Sequence, residues 1–460
     1  MWEKLVDLCD FLWGTPLIIL ILVVGIYLTI RTKFYQFRGF GLTWRKTFGE
    51  MFKKSSNAND EGALTPLQAL STVLAGTIGS GNIAGVAAAI AVGGPGAVFW
   101  MWITAVFGML TKMCEVSLSI KYRKKGEDGE YYGGPMHYMR KGLGKGGSVL
   151  AAIYSVGLIT IVLADACFVQ VNTLATAAND VFNVPLIVSG IVVVAVSLLV
   201  VIGGTKRIGE FCSKLVPPMC ILYIIGCLVV IVVNGANVGH AFGLIFSYAF
   251  RPMAAVGGFA GSTISLAMAR GGARGIFSNE AGEGTAATVH ATAKTDDPIH
   301  QGMYGIVEVF IDTIIICTLT AIAILASGVW SDGNTGIHLT FDAFRTSWGN
   351  VGMWVACIAV ILFTYTSYLG FFVEFRTSLE YVFGEKAAKY LRWLFFVPPL
   401  FSVTMEIEAV WSLADMAVGL AFVPNMIALL LLSPQFIQMF NSYIPKCREE
   451  RRLARAQKKN

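Results

Sequence analysis

Between Pro66 and Val92 the chain carries no charged side chain, yet the middle of that run reads Gly76-Thr77-Ile78-Gly79-Ser80-Gly81-Asn82. About twenty apolar residues cross a hydrocarbon core as an α-helix, so the run has the length of a membrane span. Glycine and asparagine are poor helix formers, and together they loosen the helix at its centre. In hydrocarbon each backbone N–H or C=O left without a partner costs several kcal/mol, roughly, so such a break is tolerated only where it faces protein, water or a ligand. The freed groups can then bind something: N–H groups an anion, C=O groups a cation. The segment reads as a binding site at mid-membrane depth.

The rest of the chain supports a membrane setting. Of 460 residues, 55% are hydrophobic and only 14% charged, with mean hydropathy +0.65; a soluble protein carries about 25% charged residues. The expectation is an all-α polytopic membrane protein. Its 49 glycines suit closely packed membrane helices. The net charge of +6 is spread over loops, which argues against nucleic-acid binding. The nine cysteines fall mostly singly inside apolar runs, with no CxxC pair or Cys/His cluster, so neither a disulfide framework nor a structural zinc is expected. Nothing resembles a nucleophile triad or a phosphate loop. The chain reads as a non-enzyme without a cofactor.

Eleven spans are predicted: 14–31, 66–92, 96–120, 149–179, 185–203, 211–234, 253–290 (interrupted), 301–328, 347–375, 390–405 and 409–432. Acidic Glu3, Asp7 and Asp10 precede the first apolar run and basic Arg31, Lys33, Arg38, Arg45 and Lys46 follow it. A signal peptide has the reverse order, so this is a retained helix with its N-terminus outside. Lys and Arg accumulate on the cytoplasmic side. With the N-terminus outside and the C-terminus inside, 29 of the 35 Lys and Arg fall in inside segments and only Lys4, Arg251 and Arg345 fall outside. The protein is expected in the cell membrane.

An odd count suggests one extra helix plus ten. Residues 1–65 hold the extra helix and its basic connection, 66–234 and 253–432 are two five-helix halves, and 433–460 is a basic cytoplasmic tail. Each half opens on a glycine-rich, polar-interrupted helix, with Ser278-Asn279-Glu280-Ala281-Gly282-Glu283-Gly284 in the second. The halves enter the membrane from opposite sides. Matching broken helices in inverted halves point to a transporter's central site.

At these residues the chain resembles a known family. Gly76-Thr77-Ile78-Gly79-Ser80-Gly81-Asn82-Ile83-Ala84-Gly85-Val86 and Gly93-Gly94-Pro95-Gly96-Ala97-Val98-Phe99-Trp100-Met101-Trp102 resemble the alanine/glycine:cation symporters (sodium:alanine symporters). So do Gly133-Gly134-Pro135-Met136, Arg274-Gly275-Ile276-Phe277-Ser278-Asn279-Glu280-Ala281-Gly282 and Asp312-Thr313. The resemblance covers nearly the whole chain. It implies the leucine-transporter fold of the amino acid–polyamine–organocation superfamily, a 5+5 inverted repeat, with Na+-driven uptake of a small amino acid. The chain departs from the family pattern at Arg270, where a Trp is common, and at Glu283, where a Leu is common. It also departs at Asp165, in a run usually uncharged before Gln170.

The readings of single residues follow. The amides of Ser80 and Gly81 suit a substrate carboxylate, although Gly81 and Gly85 also have the spacing of a close-packing face. The resemblance adds Thr77, Gly79, Asn82, Phe277 and Asn279 to the substrate site, brings Gln170 to the pocket and makes Phe371 its aromatic wall. Gln170 and Asn172 could otherwise be interhelical glue, and Phe371 plain packing. Thr366 and Ser367 are adjacent hydroxyls of the kind that most often bond back to the preceding turn. In the fold the resemblance implies, they face the first broken helix together with the Phe363 carbonyl. With the carbonyls of Ala75 and Ile78 they would make a five-oxygen Na+ site, Na+ preferring hard oxygen ligands as Ca2+ and Mg2+ do.

Intramembrane charges are expensive and functional by default. Structural ion pairing is the expectation for Glu308, Asp312 and Glu374, and Arg274 could simply lie near the cytoplasmic face. Arg270 and Glu283 are expected either to compensate one another as a buried pair or to touch a polar substrate side chain. The tail from Lys446 to Lys459 suits a solvated helix touching anionic lipid. The reading is a Na+-coupled symporter for a small neutral amino acid of the alanine/glycine class, functional as a monomer in the bilayer. The rival substrate is a larger polar amino acid such as glutamine. A channel would need a continuous pore, of which the chain shows no sign.

Overall fold

The structure, a computed structural model, describes residues 16–51, 64–127, 129–295 and 297–457. The acidic N-terminal stretch with Glu3, Asp7 and Asp10 lies outside them. Helices account for almost all of it: α1 (Pro16–Arg31), α2 (Phe40–Met51), α3 (Pro66–Thr77), α4 (Val86–Gly93), α5 (Ala97–Tyr122), α6 (Pro135–Val162), α7 (Val171–Phe182), α8 (Leu186–Val201) and α9 (Gly204–Val233). There follow α10 (Gly235–Tyr248), α11 (Ile264–Asn279), α12 (Thr285–His290), α13 (Pro298–Val309), α14 (Thr318–Ser327), α15 (Gly336–Leu391), α16 (Pro399–Ser402) and α17 (Ile407–Gln457). A two-stranded hairpin, β1 (Lys124–Lys125) with β2 (Tyr131–Tyr132), follows α5.

Among the described residues six helical stretches are long and apolar enough to cross a bilayer, and seven if the bent pair Leu67–Thr77 and Gly81–Gly93 counts as one span. Pro16–Arg31 and Leu186–Val201 are shorter apolar helices. The bounds of several expected spans are redrawn. Three stretches of π-helix, Gly81–Gly85, Leu163–Gln170 and Phe310–Cys317, interrupt helices near the middle of the chain's apolar runs, and π-bulges are frequent at functional sites. The run expected at 149–179 belongs to helix that begins at Pro135 and bends at Gly144. Those at 347–375 and 390–405 join through α15, which bends at Trp348-Gly349 and Gly384. The helix α10 had no sequence counterpart; it is short, and Phe242 and Phe246 lie exposed on it.

The ends of α3 explain its position. Thr65 and Gln68 form a reciprocal capping box, and Pro66 occupies the first turn where its missing N–H is not needed. Along its length α3 lies against α15 at backbone distance: a Cβ on Gly370 would sit 2.9 Å from Gly76 N and 3.1 Å from Thr72 O. Only a glycine lets these two helices approach so closely.

Candidate functional site

The first break is made by local backbone geometry. The Ile78 N–H closes the last turn of α3 on Leu74 O (2.9 Å), and its ψ of 88° then takes the chain out of the helix. The two amides that follow find side-chain acceptors. Gly79 N–H donates to Asn82 Oδ1 and Ser80 N–H to Gln170 Oε1, both at 2.9 Å. Gln170 in turn donates from Nε2 to Asp165 Oδ1 at 2.7 Å. A buried backbone N–H at a helix break, facing an sp2 oxygen, is the environment a substrate carboxylate meets at a helix N-terminus. Thr77 bonds back to Val73 O (3.2 Å), and the Ser80 hydroxyl is buried with no partner.

Gly81 has the close-packing part that its spacing with Gly85 allowed. A Cβ there would lie 3.1 Å from Ser278 Cα and 3.4 Å from Phe277 Cδ1, so Gly81 allows the two broken helices to touch. At Gly79 the same construction falls 2.4 Å from Ser367 Oγ and 2.8 Å from Gln170 Oε1. Gly79 is therefore the residue whose missing side chain opens the polar spot.

The second break spans residues 280–284. Asn279 turns the chain, its Oδ1 accepting from Ala281 N–H and its Nδ2 donating to Thr313 Oγ1, both at 3.0 Å. Glu280 then takes a left-handed φ of 54° and Gly282 a φ of 100° that suits glycine alone. The freed carbonyls are held by neighbouring helices: Gly282 O by Asn425 Nδ2 and Glu283 O by Tyr154 OH, both at 2.9 Å. The Glu280 carboxylate accepts from the Thr285 hydroxyl.

This placement corrects the expected pair of Arg270 and Glu283. Helix α11 runs unbroken through Gly271-Gly272, so Arg270 lies over two turns before the break and Glu283 beyond it. Among the described residues the two make no ion pair with one another, and none there hydrogen-bonds the buried Glu283 Oε1 or Glu374 Oε2.

Asp312 is also not the structural ion-pair member expected. Among the described residues no basic side chain pairs with it. Its fully buried carboxylate accepts from Asn82 Nδ2 (2.5 Å), Ser278 Oγ (2.9 Å) and Thr313 Oγ1 (2.7 Å). One carboxylate thus ties the first broken helix to the second. Glu308 does follow expectation: Lys112 Nζ lies 3.0 Å from one oxygen and His290 Nε2 3.2 Å from the other, all buried.

The residues grouped as a Na+ site come together in part. Ser367 Oγ donates to Gly76 O at 2.6 Å, on the carbonyl between Ala75 and Ile78. Thr366 Oγ1 bonds back to Leu362 O and Phe363 O at 3.0 Å each, the plainer alternative for such a residue. A hydroxyl that donates its proton to a carbonyl keeps lone pairs free to accept a cation. Phe371, one turn beyond Ser367, is buried in the apolar core. Asn172 is interhelical glue, donating to Ser402 O (2.7 Å) and Met405 O (3.0 Å).

Two closures flank the breaks. On the side where α11 begins, Arg274 forms a bidentate pair with Asp415 at 2.9 and 2.8 Å. Its guanidinium also lies 4.5 Å from the Trp411 ring, which packs on Phe277 with centroids 4.9 Å apart. Arg274 thus reaches across to Asp415, a partner not singled out in the sequence. On the other side Leu64 bridges to Ala293, joining the start of α3 to the end of α12. Arg123 reaches over the same end, donating to Ala291 O at 3.0 Å.

Comparison with known proteins gives the setting. A model of the sodium:alanine symporter family matches residues 1–458. The sodium/alanine symporter AgcS of Methanococcus maripaludis is 37% identical over 430 residues, covering 92% of this chain and 93% of that protein. The probable sodium/glutamine symporter GlnT of Bacillus subtilis is 34% identical over 440 residues, covering 94% and 89%. The crystal structure of MhsT in complex with L-phenylalanine superposes with a TM-score of 0.60 at 13% identity, over 81% of this chain and 89% of that one. The likeness gives the chain the leucine-transporter fold.

Proposed function

The chain belongs to the sodium:alanine symporter family, a family of transporters, and from that premise we propose that it couples Na+ influx to uptake of a small neutral amino acid of the alanine/glycine class. Sodium-coupled amino-acid transport by a multi-pass membrane protein is the common ground of the family. The observation that carries the reading is the Ser80 amide at the first break, held by the Gln170 side-chain oxygen. That oxygen stands where a substrate carboxylate oxygen would accept. Gly79 leaves room beside it, and Phe277 comes up to Gly81 from the second break.

Na+ would bind one turn away, among the carbonyls of Ala75, Ile78 and Phe363 and the hydroxyls of Thr366 and Ser367. All are hard oxygen donors suited to an alkali cation. Binding there would pin α3 to α15 and complete the amide site beside it. Alternating access then follows from one group of helices rocking against the other around a fixed site, with the Arg274–Asp415 pair as the outer closure and the Leu64–Ala293 bridge as the inner one. The assignment of outside and inside rests on the 29 basic residues of the inside segments. The same proposal holds that the ten helices after the first form two inverted fives, 66–234 and 253–432, and that one chain suffices for transport.

A second reading, a larger polar substrate such as glutamine, is favoured by one observation: Glu283 Oε1 is buried without a partner near the second break. The relative GlnT points the same way. Competition of unlabelled amino acids against labelled alanine in proteoliposomes separates the two. Inhibition by alanine and glycine far below the glutamine concentration supports the first reading. The reverse order supports the second, and no inhibition by either overturns both.

A further inference from the structure

We propose that the end of α1 and the stretch of α17 from Phe440 to Arg448 form a binding site for the headgroup of an anionic phospholipid. The site is a cavity of about 190 Å3 between the two helices, lined by Arg31, Lys33, Arg38 and Arg448 and walled by Tyr35 and Phe440. It lies far from both helix breaks in sequence and takes no part in the transport mechanism argued above.

The charge of the cavity is one-sided. No acidic residue lines it, and among the described residues none of its four basic side chains makes an ion pair. Arg31 donates to Tyr27 OH at 2.8 Å and Arg38 to Lys33 O at 3.3 Å, both neutral acceptors. A neighbouring groove shows the contrast. It is lined by Lys46, Lys446, Asp297 and Glu450, and its charges balance, with Lys46 Nζ 3.5 Å from Glu450 Oε2. Like charges gathered around an open cavity repel one another, and an anion in the middle removes that repulsion.

The walls are built, not loose. Tyr35 is 2% exposed, accepts from Thr43 Oγ1 at 3.2 Å and meets Phe440 edge-on with centroids 4.9 Å apart. Lys33 and Phe34 both take left-handed backbone, at φ 56° and 57°, which turns the chain sharply after α1. A non-glycine residue rarely adopts that conformation. The turn sends Phe34 outward, 51% exposed, beside Ile30 at 58% and Phe37 at 61%.

Those exposed apolar side chains decide between a lipid and a free phosphate. The cavity opens where the apolar part of α1 ends, the depth of a headgroup, and Ile30, Phe34 and Phe37 offer the adjoining surface to acyl chains. Its volume is that of about six waters at roughly 30 Å3 each, enough for a phosphodiester with part of a glycerol. Basic pockets between membrane helices bind such headgroups. Phosphatidylglycerol presents this chemistry: one negative phosphodiester, a polar head and two chains.

The test uses the full purified chain stripped of lipid in detergent, followed by native mass spectrometry and thermal unfolding. Probes are phosphatidylglycerol, phosphatidylcholine and glycerol 3-phosphate. The proposal expects retained phosphatidylglycerol adducts and a raised Tm with that lipid alone. In Arg31→Gln/Arg38→Gln, binding should weaken about 30-fold, from about 1 kcal/mol per basic residue at the surface. The equally charged control Lys145→Gln/Lys214→Gln, changed at exposed positions elsewhere, should bind as the wild type does. Arg31→Lys/Arg38→Lys, which keeps charge, should retain most of the effect. Equal binding by the Gln variant and the control overturns the site. A response to glycerol 3-phosphate equal to that for phosphatidylglycerol overturns its assignment to a lipid.

Discussion

The side chain of Gln170 is shared between two partners, and that sharing shapes how the site would work. Its oxygen accepts from Ser80 N–H and its nitrogen donates to Asp165 Oδ1. Because the Ser80 N–H can only donate, it fixes which end of the amide faces the break, and the Asp165 oxygen takes the other end. A substrate carboxylate aimed at Ser80 N–H must therefore displace Gln170. Asp165→Asn places an NH2 donor beside Gln170, which lets the Gln170 amide turn over, and drawing its oxygen toward residue 165 leaves the Ser80 N–H open to the substrate. This favours the substrate, and apparent affinity in proteoliposome uptake should rise about fivefold, for roughly 1 kcal/mol. An unchanged affinity would separate Asp165 from substrate binding. Gln170 could be singled out along the sequence only through family resemblance. Its grip on Ser80 spans 90 positions, and no local pattern encodes a contact of that range. The Arg274–Asp415 pair, 141 positions apart, escaped notice for the same reason.

At the scale of elements, the two breaks differ in how their freed backbone groups are satisfied. The first presents amides to side chains of Asn82 and Gln170, while the second has its carbonyls held by Asn425 and Tyr154. The first break is thus the one with groups that a ligand can take over from a movable side chain. Gly79→Ala tests this. Both atoms that an added Cβ would strike, Ser367 Oγ and Gln170 Oε1, are side-chain ends that can turn aside. The variant should keep a Tm near wild type yet lose thermal stabilisation by Na+ and substrate. Gly81→Val meets the Ser278 backbone instead and should lower the Tm of the ligand-free protein, since overpacking costs about 1–3 kcal/mol. If both variants lower the Tm equally and both still respond to ligand, Gly79 does not border the site. Both breaks were legible as clusters of glycine, asparagine and charge inside apolar runs, because helix weakness is a local property. The exact turn was not. Gly271-Gly272 is also a pair of weak helix formers, but close packing on α5, where a Cβ at Gly271 would meet Ala97 O at 2.0 Å, gives those glycines a reason to stay helical.

Across the whole molecule, closures stand on either side of the breaks: Arg274 with Asp415 and Trp411 at one end, Leu64 with Ala293 at the other. In the proposed cycle they open alternately, and an ion pair that forms and parts suits the one assigned to the outside. Asp415→Arg and Arg274→Asp should each reduce uptake strongly by setting two like charges against each other in a partly buried place, and the double exchange should recover part of the rate. Additive losses in the double variant would show that the pair acts separately. The number of apolar runs and the lopsided placement of Lys and Arg gave the membrane character of the chain directly. Helix boundaries were harder to read where α15 carries its apolar pattern through the bends at Gly349 and Gly384, since hydropathy does not record a bend.

The central claim is that Na+ and amino acid move together. Its most direct test is uptake of labelled alanine into proteoliposomes under an imposed inward Na+ gradient, compared with an equal K+ gradient, for the wild type and Thr366→Ala/Ser367→Ala. The account predicts that only the Na+ gradient drives alanine above its external concentration, and that the double variant needs far more Na+ for the same rate. Equal accumulation with K+, or with no gradient at all, would contradict it.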